Sequence, residues 1–338
     1  MRVLATLCVL MSLGASCGGG GGAPATPVQP IAPAPPQSQR PTFDAQRAFD
    51  DLQAQVDFGP RVPGSPAHEQ CGQFLRDRLA DAGARVVAHE FTSAIALSDE
   101  QFDFTNLLGV FAEGADGDVL LLGAHWDSRA VADRDPDPDL RDEPVPAAND
   151  AASGVALLLE IARAFAQAPP PRPVVVAFFD AEDQGSSSSQ LPHDGWILGS
   201  QRLVDEWPDD VPWPDEMILV DMVAGDNEHN ERVGTPQFAN DHFDLPIEVN
   251  SLERAPDLVD RIWTIAERLG HSAFERTSGY RVVDDHIPFL DAGVPAVDII
   301  EFVPPEWHTV DDTPEHCAPD SLHQVGETLL EFIYAEQR

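Results

Sequence analysis

The chain contains no lysine: all 20 of its basic residues are arginine, set against 58 acids, for a formal charge of −38. So few cations argue against a nucleic-acid partner and against an anionic membrane surface, both of which require positive charge on the protein. An acidic surface also keeps an exported protein dispersed, and by itself it names no partner. Local catalytic signatures are missing as well. Residues 42–338 hold no HExxH helix, no CxxC pair, no GxSxG elbow and no glycine-rich phosphate loop. Those absences remove the common sequence support for a zincin, a serine hydrolase or a nucleotide-binding enzyme. No internal repeat is visible, and beyond the first residues no apolar run is long enough to span a bilayer.

Cysteine is scarce, with Cys8, Cys17, Cys71 and Cys317 as the full set. The first two fall in an N-terminal address. Arg2 gives a positive start, residues 3–13 form an apolar core too short for a membrane span, and Gly14-Ala15-Ser16 precede Cys17. Small residues before a cysteine resemble a bacterial lipobox, although Leu13 stands four places before Cys17 rather than the usual three. Residues 1–16 are therefore expected to be a signal peptide of lipoprotein type. Residues 17–41 are expected to be a tether, because half of residues 18–41 are glycine or proline and none is acidic. The chain is expected to be exported and lipid-anchored through Cys17 at a bacterial membrane, facing periplasm or exterior, or otherwise secreted. Cys71 and Cys317 then remain as an even pair, open to a disulfide or to two buried thiols.

What remains, residues 42–338, is long and apolar enough for one large core, the whole chain being 43% hydrophobic. Helices are expected over residues 43–56 and, from the Ser65-Pro66 cap, to about residue 79. Strands are expected over 84–91, 104–111 and 119–124, the last running into His125-Trp126-Asp127-Ser128. The Asp- and Pro-rich residues 133–143 lack periodicity and are expected to loop over the strand ends. Helical spacing returns over 155–165, near 198–207, over 258–269 with Gly270 as its stop, and over 322–334. Apolar runs at 174–179, 217–222 and 294–300 read as further buried strands. Strands alternating with helices imply an α/β fold: a three-layer arrangement with a mainly parallel central sheet covered by helices on both faces.

The run 174–179 ends in Asp180-Ala181-Glu182-Asp183, three acids within four residues. Open α/β sheets bind ligands beyond the carboxyl ends of their strands, so acids there are candidates for metal binding or acid/base work. His125, Asp127, Asp150, Glu182, Asp183, Asp221, Asp285 and His308 all fall at strand ends or helix entrances. Each taken alone fits a structural role. Asp150 has the position of an ordinary N-cap acid, and Asp221, inside an apolar run, needs a partner or a proton. Taken together, carboxylates with one or two histidines suit a catalytic zinc site with an open position.

Five ordered motifs carry a resemblance. They are His125-Trp126-Asp127-Ser128, Ala148-Asn149-Asp150-Ala151-Ala152-Ser153-Gly154, Phe178-Phe179-Asp180-Ala181-Glu182-Asp183, Asp284-Asp285-His286-Ile287-Pro288-Phe289 and Trp307-His308-Thr309-Val310-Asp311-Asp312. Together they resemble the glutaminyl-peptide cyclotransferases, or glutaminyl cyclases, of the zinc aminopeptidase superfamily, over about residues 67–334. The resemblance implies one Zn²⁺ per chain, held by Asp150, Asp183 and His308, with Glu182 shuttling the proton. It implies Asp221 and Asp285 as supporting acids, Trp307 as a substrate-pocket aromatic, and Trp196 as either a second pocket aromatic or core. Asp183 stands where animal members carry the longer glutamate. The implied partners are peptides or proteins with N-terminal glutamine, and the chain is expected to be monomeric. Two alternatives stay open: a two-zinc aminopeptidase using His125 and Asp221 for the second ion, and a tethered binding lipoprotein on the same fold.

Overall fold

The computed structural model describes residues 40–187, 189–226, 243–302 and 304–335. The expected signal, Cys17 and nearly all of the tether lie outside the described residues. The first helix, α1 (Ala45–Val56), is capped by Asp44, whose carboxylate accepts from Arg47 N. The second, α2 (Pro66–Asp81), has Pro66 in its first turn, and Ser65 accepts from His68 N, as the sequence pattern implies. A hairpin follows, β1 (Arg85–Ile95) and β2 (Ser98–Phe111), antiparallel and several residues longer than the apolar runs suggested. Then come β3 (Leu120–His125), α3 (Gly154–Gln167), β4 (Val174–Phe179), α4 (Leu198–Asp205) and β5 (Glu216–Asp221). The C-terminal part holds β6 (Leu245–Ile247), α5 (Val249–Arg254), α6 (Pro256–Leu269), β7 (Phe274–Ser278), α7 (His286–Asp291), β8 (Ala296–Ile300) and α8 (Pro319–Ala335).

Six strands form the central sheet in the order β1-β2-β4-β3-β5-β8. The β4-β3-β5-β8 half is parallel, and β2 joins it antiparallel through β4. Every residue of β3, β4, β5 and β8 is buried, which is why these strands read as largely apolar runs, interrupted within β8 by Asp298. Alternate side chains serve opposite faces. Leu120, Leu122, Val174, Val176, Ile218 and Val220 join one core with α1, α2, α3, α6 and α8. Leu121, Val175, Ala177, Met217 and Leu219 join a second core with residues of α4 and α7. Each fully buried Leu, Val or Phe contributes about 1.5–3 kcal/mol relative to exposure. The result is the expected three-layer α/β fold.

Three features depart from or add to the sequence reading. β6 and β7 pair in a separate two-stranded parallel sheet, too short and polar to register as apolar runs. The short helices α5 and α7 likewise fell below the length at which helical periodicity is readable. Cys71 and Cys317 are both buried free thiols, so the even count reflects no bridge between them. No helix among the described residues is long and apolar enough to cross a membrane.

Candidate active site

Register brings the ends of the parallel strands level: His125 of β3 pairs with Phe179 of β4, and Asp221 of β5 with Ile300 of β8. The chain passes from β3 to β4 on one side and returns across β3 to reach β5. That reversal of strand order opens the crevice where ligands bind in α/β sheets. After β4, Ala181 adopts φ +59 and turns the chain into Glu182 and Asp183, which line the crevice. Asp127 fixes this turn. Its Oδ1 accepts from Glu182 N at 3.0 Å, and its Oδ2 accepts from Asp183 N at 3.2 Å and Gln184 Nε2 at 2.9 Å.

Asp150 lies in an irregular helical turn just before α3, at φ −109. It does not cap the helix through its side chain. Instead Asp312 accepts from Asn149 N at 2.7 Å and from Asp150 N at 3.1 Å, leaving the Asp150 carboxylate free to face the crevice. Gly154 permits the approach of this turn to β5: a Cβ there would lie 2.3 Å from Val220 O. His308 occupies the loop between β8 and α8 at φ +57, a left-handed backbone that costs an L residue about 1–2 kcal/mol.

These elements assemble two donor triads that share one residue. Asp150, Asp183 and His308 form one, and His125, Asp150 and Asp221 form the other, each with ligand atoms inside 4.8 Å of one another. His308 Nε2 lies 3.3 Å from Asp183 Oδ1 and 3.8 Å from Asp150 Oδ2. His125 Nε2 lies 2.9 Å from Asp150 Oδ1 and 3.3 Å from Asp221 Oδ1. Despite these short distances, no well-aligned hydrogen bond satisfies the buried His125 Nε2 or Asp221 Oδ1. Buried polar atoms left so are costly, and a cation would satisfy both. The donor set of two imidazoles and three carboxylates therefore fits zinc in either triad.

The surrounding acids repel one another. Burial, then the charges of Asp284, Asp183 and Asp285, push the Glu182 carboxyl well above its ordinary range against the pull of His125. Burial and the Asp221 charge raise Asp284 to about 7. Burial opposes charge on His308, yet Asp183 and Asp133 outweigh it and raise the imidazolium to about 9. A bound cation would release that proton and hold the acids ionised.

The crevice opens into a cavity of about 460 Å³ lined by Asp150, Glu182, Asp183, Asp221 and His308 at its base. Trp196 and Trp307 also line it, with ring centroids 5.9 and 4.0 Å from the His308 imidazole. Met222, Val282, Ile300 and Phe302 add an apolar wall. Gly185 lets Trp196 lie against the chain, since a Cβ there would come within 2.2 Å of the indole. Of the residues singled out from sequence, all but His125, Asp127 and Asp285 line this cavity; Asp127 is wholly buried and holds the Glu182–Asp183 turn instead. His125 is buried in the second triad beneath it. Asp285 is wholly buried, and its neighbour Asp284 faces the cavity in its place. Consecutive residues at the start of α7 point apart, and sequence does not say which of the doublet turns inward. Sequence reasoning also passed over Arg129, which donates to Asp183 Oδ1 at 3.1 Å, and Asp133, which lies 3.3 Å from His308 Nδ1. Arg129 stands just past the His125-to-Ser128 motif, the one available signal.

Fold and site together define an α/β enzyme with a crevice of carboxylates and histidines at the ends of its parallel strands. Residues 106–333 match the family model described as Peptidase family M28, and the chain belongs to that family. The chain is 27% identical to "Aminopeptidase YwaD" of Bacillus subtilis over 225 residues, 64% of this chain but only 41% of that protein. It is 26% identical to the "Glutaminyl-peptide cyclotransferase-like protein" of Bos taurus over 303 residues, 81% of this chain and 71% of that one. Among solved structures, Bacteroides thetaiotaomicron glutaminyl cyclase bound to N-acetylhistamine is 34% identical with a TM-score of 0.79, covering 88% of this chain and 100% of that one. The likeness supports an enzyme with glutaminyl cyclase or M28 peptidase-like function.

Proposed function

We propose that this chain is a zinc-dependent glutaminyl-peptide cyclotransferase, which converts an N-terminal glutamine to pyroglutamate and releases ammonia. The observation that carries the reading is the aromatic-walled cavity: Trp196 and Trp307 lie against His308 in a pocket that Glu182, Asp183 and Asp150 also line. Such a pit receives one terminal residue and holds its flexible side chain folded, bringing amine and carbonyl together. With zinc held by Asp150, Asp183 and His308, the side-chain carbonyl gains electrophilic character.

The chain's own groups do the rest. Glu182 accepts a proton from the attacking α-amine as the nitrogen–carbon bond closes the ring. The same carboxyl then delivers that proton to the amide nitrogen, and the carbon–nitrogen bond to ammonia breaks. Asp221, Asp284 and Asp285 form the acidic backing against which Glu182 changes its charge, and the excess of negative charge suits a substrate that arrives as a cation. In this reading the chain works as an exported monomer, tethered through Cys17, on peptides or proteins that begin with glutamine. The support for that placement is the apolar start and the Gly/Pro-rich stretch of residues 1–41.

A second reading has its own observation. The His125, Asp150 and Asp221 triad is complete, and a cation there beside one in the first triad would make a two-metal aminopeptidase. The experiment that separates the two follows the mass of a glutamine-ended and a leucine-ended peptide after metal analysis. Loss of ammonia with about one zinc bound supports the cyclotransferase. Release of the first residue with about two metals bound supports the aminopeptidase. Under either reading Glu182→Gln retains metal while turnover falls about 10²–10⁴-fold, and unchanged turnover overturns its role.

A further inference from the structure

Residues 129–135 grip the site from outside. The Arg129 side chain is only 2% exposed. Its Nη1 donates to Asp183 Oδ1 and to the Asp183 carbonyl, both at 3.1 Å, and to the Gly185 carbonyl at 3.3 Å. Its Nε and Nη2 fork onto Asp133 at 2.8 and 3.1 Å, and the guanidinium lies 4.6 Å from the centre of the Trp196 ring. Asp133 Oδ1 in turn faces His308 Nδ1 at 3.3 Å. The next two residues hold the same loop. Arg134 N donates to His308 O at 3.1 Å, its guanidinium lies 4.9 Å from the Trp307 ring, and Asp135 Oδ2 accepts from Val310 N at 3.1 Å.

We propose that the Arg129–Asp133 pair is an outer clasp that joins Asp183 to His308 and sets the metal affinity of the site. The inference rests on the reading of Asp150, Asp183 and His308 as metal ligands. His308 Nδ1 is buried with no aligned hydrogen-bond partner and Asp133 is the carboxylate beside it, so a proton drawn onto Nδ1 toward Asp133 leaves Nε2, the atom that faces Asp183 and Asp150, to bind metal. Arg129 fixes the orientation of Asp183, and because Asp133 neutralises the guanidinium, the clasp adds no net positive charge beside the ion. It also holds His308 in its left-handed backbone, which no glycine relieves. Both residues are positioning residues, since neither lines the cavity.

The test is zinc competition between the metal-stripped full chain and a chromophoric chelator. Asp133 is 45% exposed, so its replacement leaves the core intact. Asp133→Ala should bind zinc about 10–100-fold more weakly, while the metal-free protein stays folded and melts only slightly lower, because Nε of the buried Arg129 loses its acceptor. Asp133→Asn, which keeps an oxygen opposite His308, should recover part of that loss, and excess zinc should restore turnover of Asp133→Ala. Equal zinc affinity in wild type and Asp133→Ala overturns the clasp while leaving the metal site standing. A wild-type chain that binds no zinc overturns the ligand assignment and the clasp with it.

Discussion

Asp127→Asn tests how the strand-end acids are held in place. The wild-type carboxylate is buried, and burial opposes its charge; the bonds to His125, Gln184 and Glu182 N outweigh this and lower its pKa. Asparagine offers one acceptor oxygen instead of two. If its amide nitrogen takes the Oδ1 position, Glu182 N loses an acceptor at 3.0 Å and His125 Nδ1 a long contact at 3.5 Å; in the other orientation Asp183 N and Gln184 Nε2 are both orphaned. The cheaper orientation therefore strands one buried backbone donor, at about 1–3 kcal/mol, and weakens the two remaining bonds by about 1 kcal/mol each as charge is lost. Relief from a buried charge offsets part of this and leaves about 2–4 kcal/mol. Denaturant unfolding of wild type and variant reads the difference as a shift of midpoint at constant slope. Turnover should fall at least about tenfold, because the freed N–H is that of Glu182 itself. A stability loss below about 1 kcal/mol together with wild-type turnover would refute the reasoning.

Gly185→Ala places a Cβ 2.2–2.4 Å from three atoms of the Trp196 indole, so the ring must move out of the cavity wall. Steady-state kinetics should show KM rising about tenfold, with a stability loss of about 1–3 kcal/mol; an unchanged KM removes Trp196 from substrate binding. Burial disfavours ionised Glu248, but His286 and the N–H groups of Asn250 and Ser251 outweigh it and hold its pKa at about 2, against an ordinary 4.5. A depressed carboxyl stabilises the fold above its unfolded pKa and loses that contribution as pH falls through its folded one. Between pH 4.5 and 2 the wild type should thus lose about 3 kcal/mol that Glu248→Gln does not, as denaturant titrations at several pH values would measure. Parallel curves for the two proteins would refute it.

The parallel half of the sheet was legible because strands buried on both faces leave apolar runs, as 174–179 and, up to Asp221, 217–222 did. The Ser65-Pro66 cap and the Gly270 stop were legible because each rests on local chemistry. The donor triads could be gathered from sequence since every member but His308 stands at or just past a strand end or in a helix-entry turn, and His308 lies in the Trp307-to-Asp312 motif. The β1–β2 hairpin ran past its apolar stretch because its end mixes Ala94, Ile95, Ala96 and Leu97 with Ser93, Ser98, Glu100 and Gln101, which leaves no regular alternation to read. Asp284 and Asp285 are chemically alike and adjacent, and only the backbone at α7 decides which one turns inward. Arg129 and Asp133 act across long sequence separations, on residues 54 and 175 positions away, and the Asp/Pro-rich composition after Asp133 reads as a solvated loop.

Asp150 belongs to both donor triads, and this fork constrains how the site can be inherited. A change at Asp150 dismantles both positions at once, whereas His125 or Asp221 can drift without disturbing the triad that contains Asp183 and His308. Descent from a two-ion ancestor to a one-ion enzyme therefore has a cheap route through the outer pair and none through the hub. A lineage that retains all five residues, as this one does, also retains a short way back.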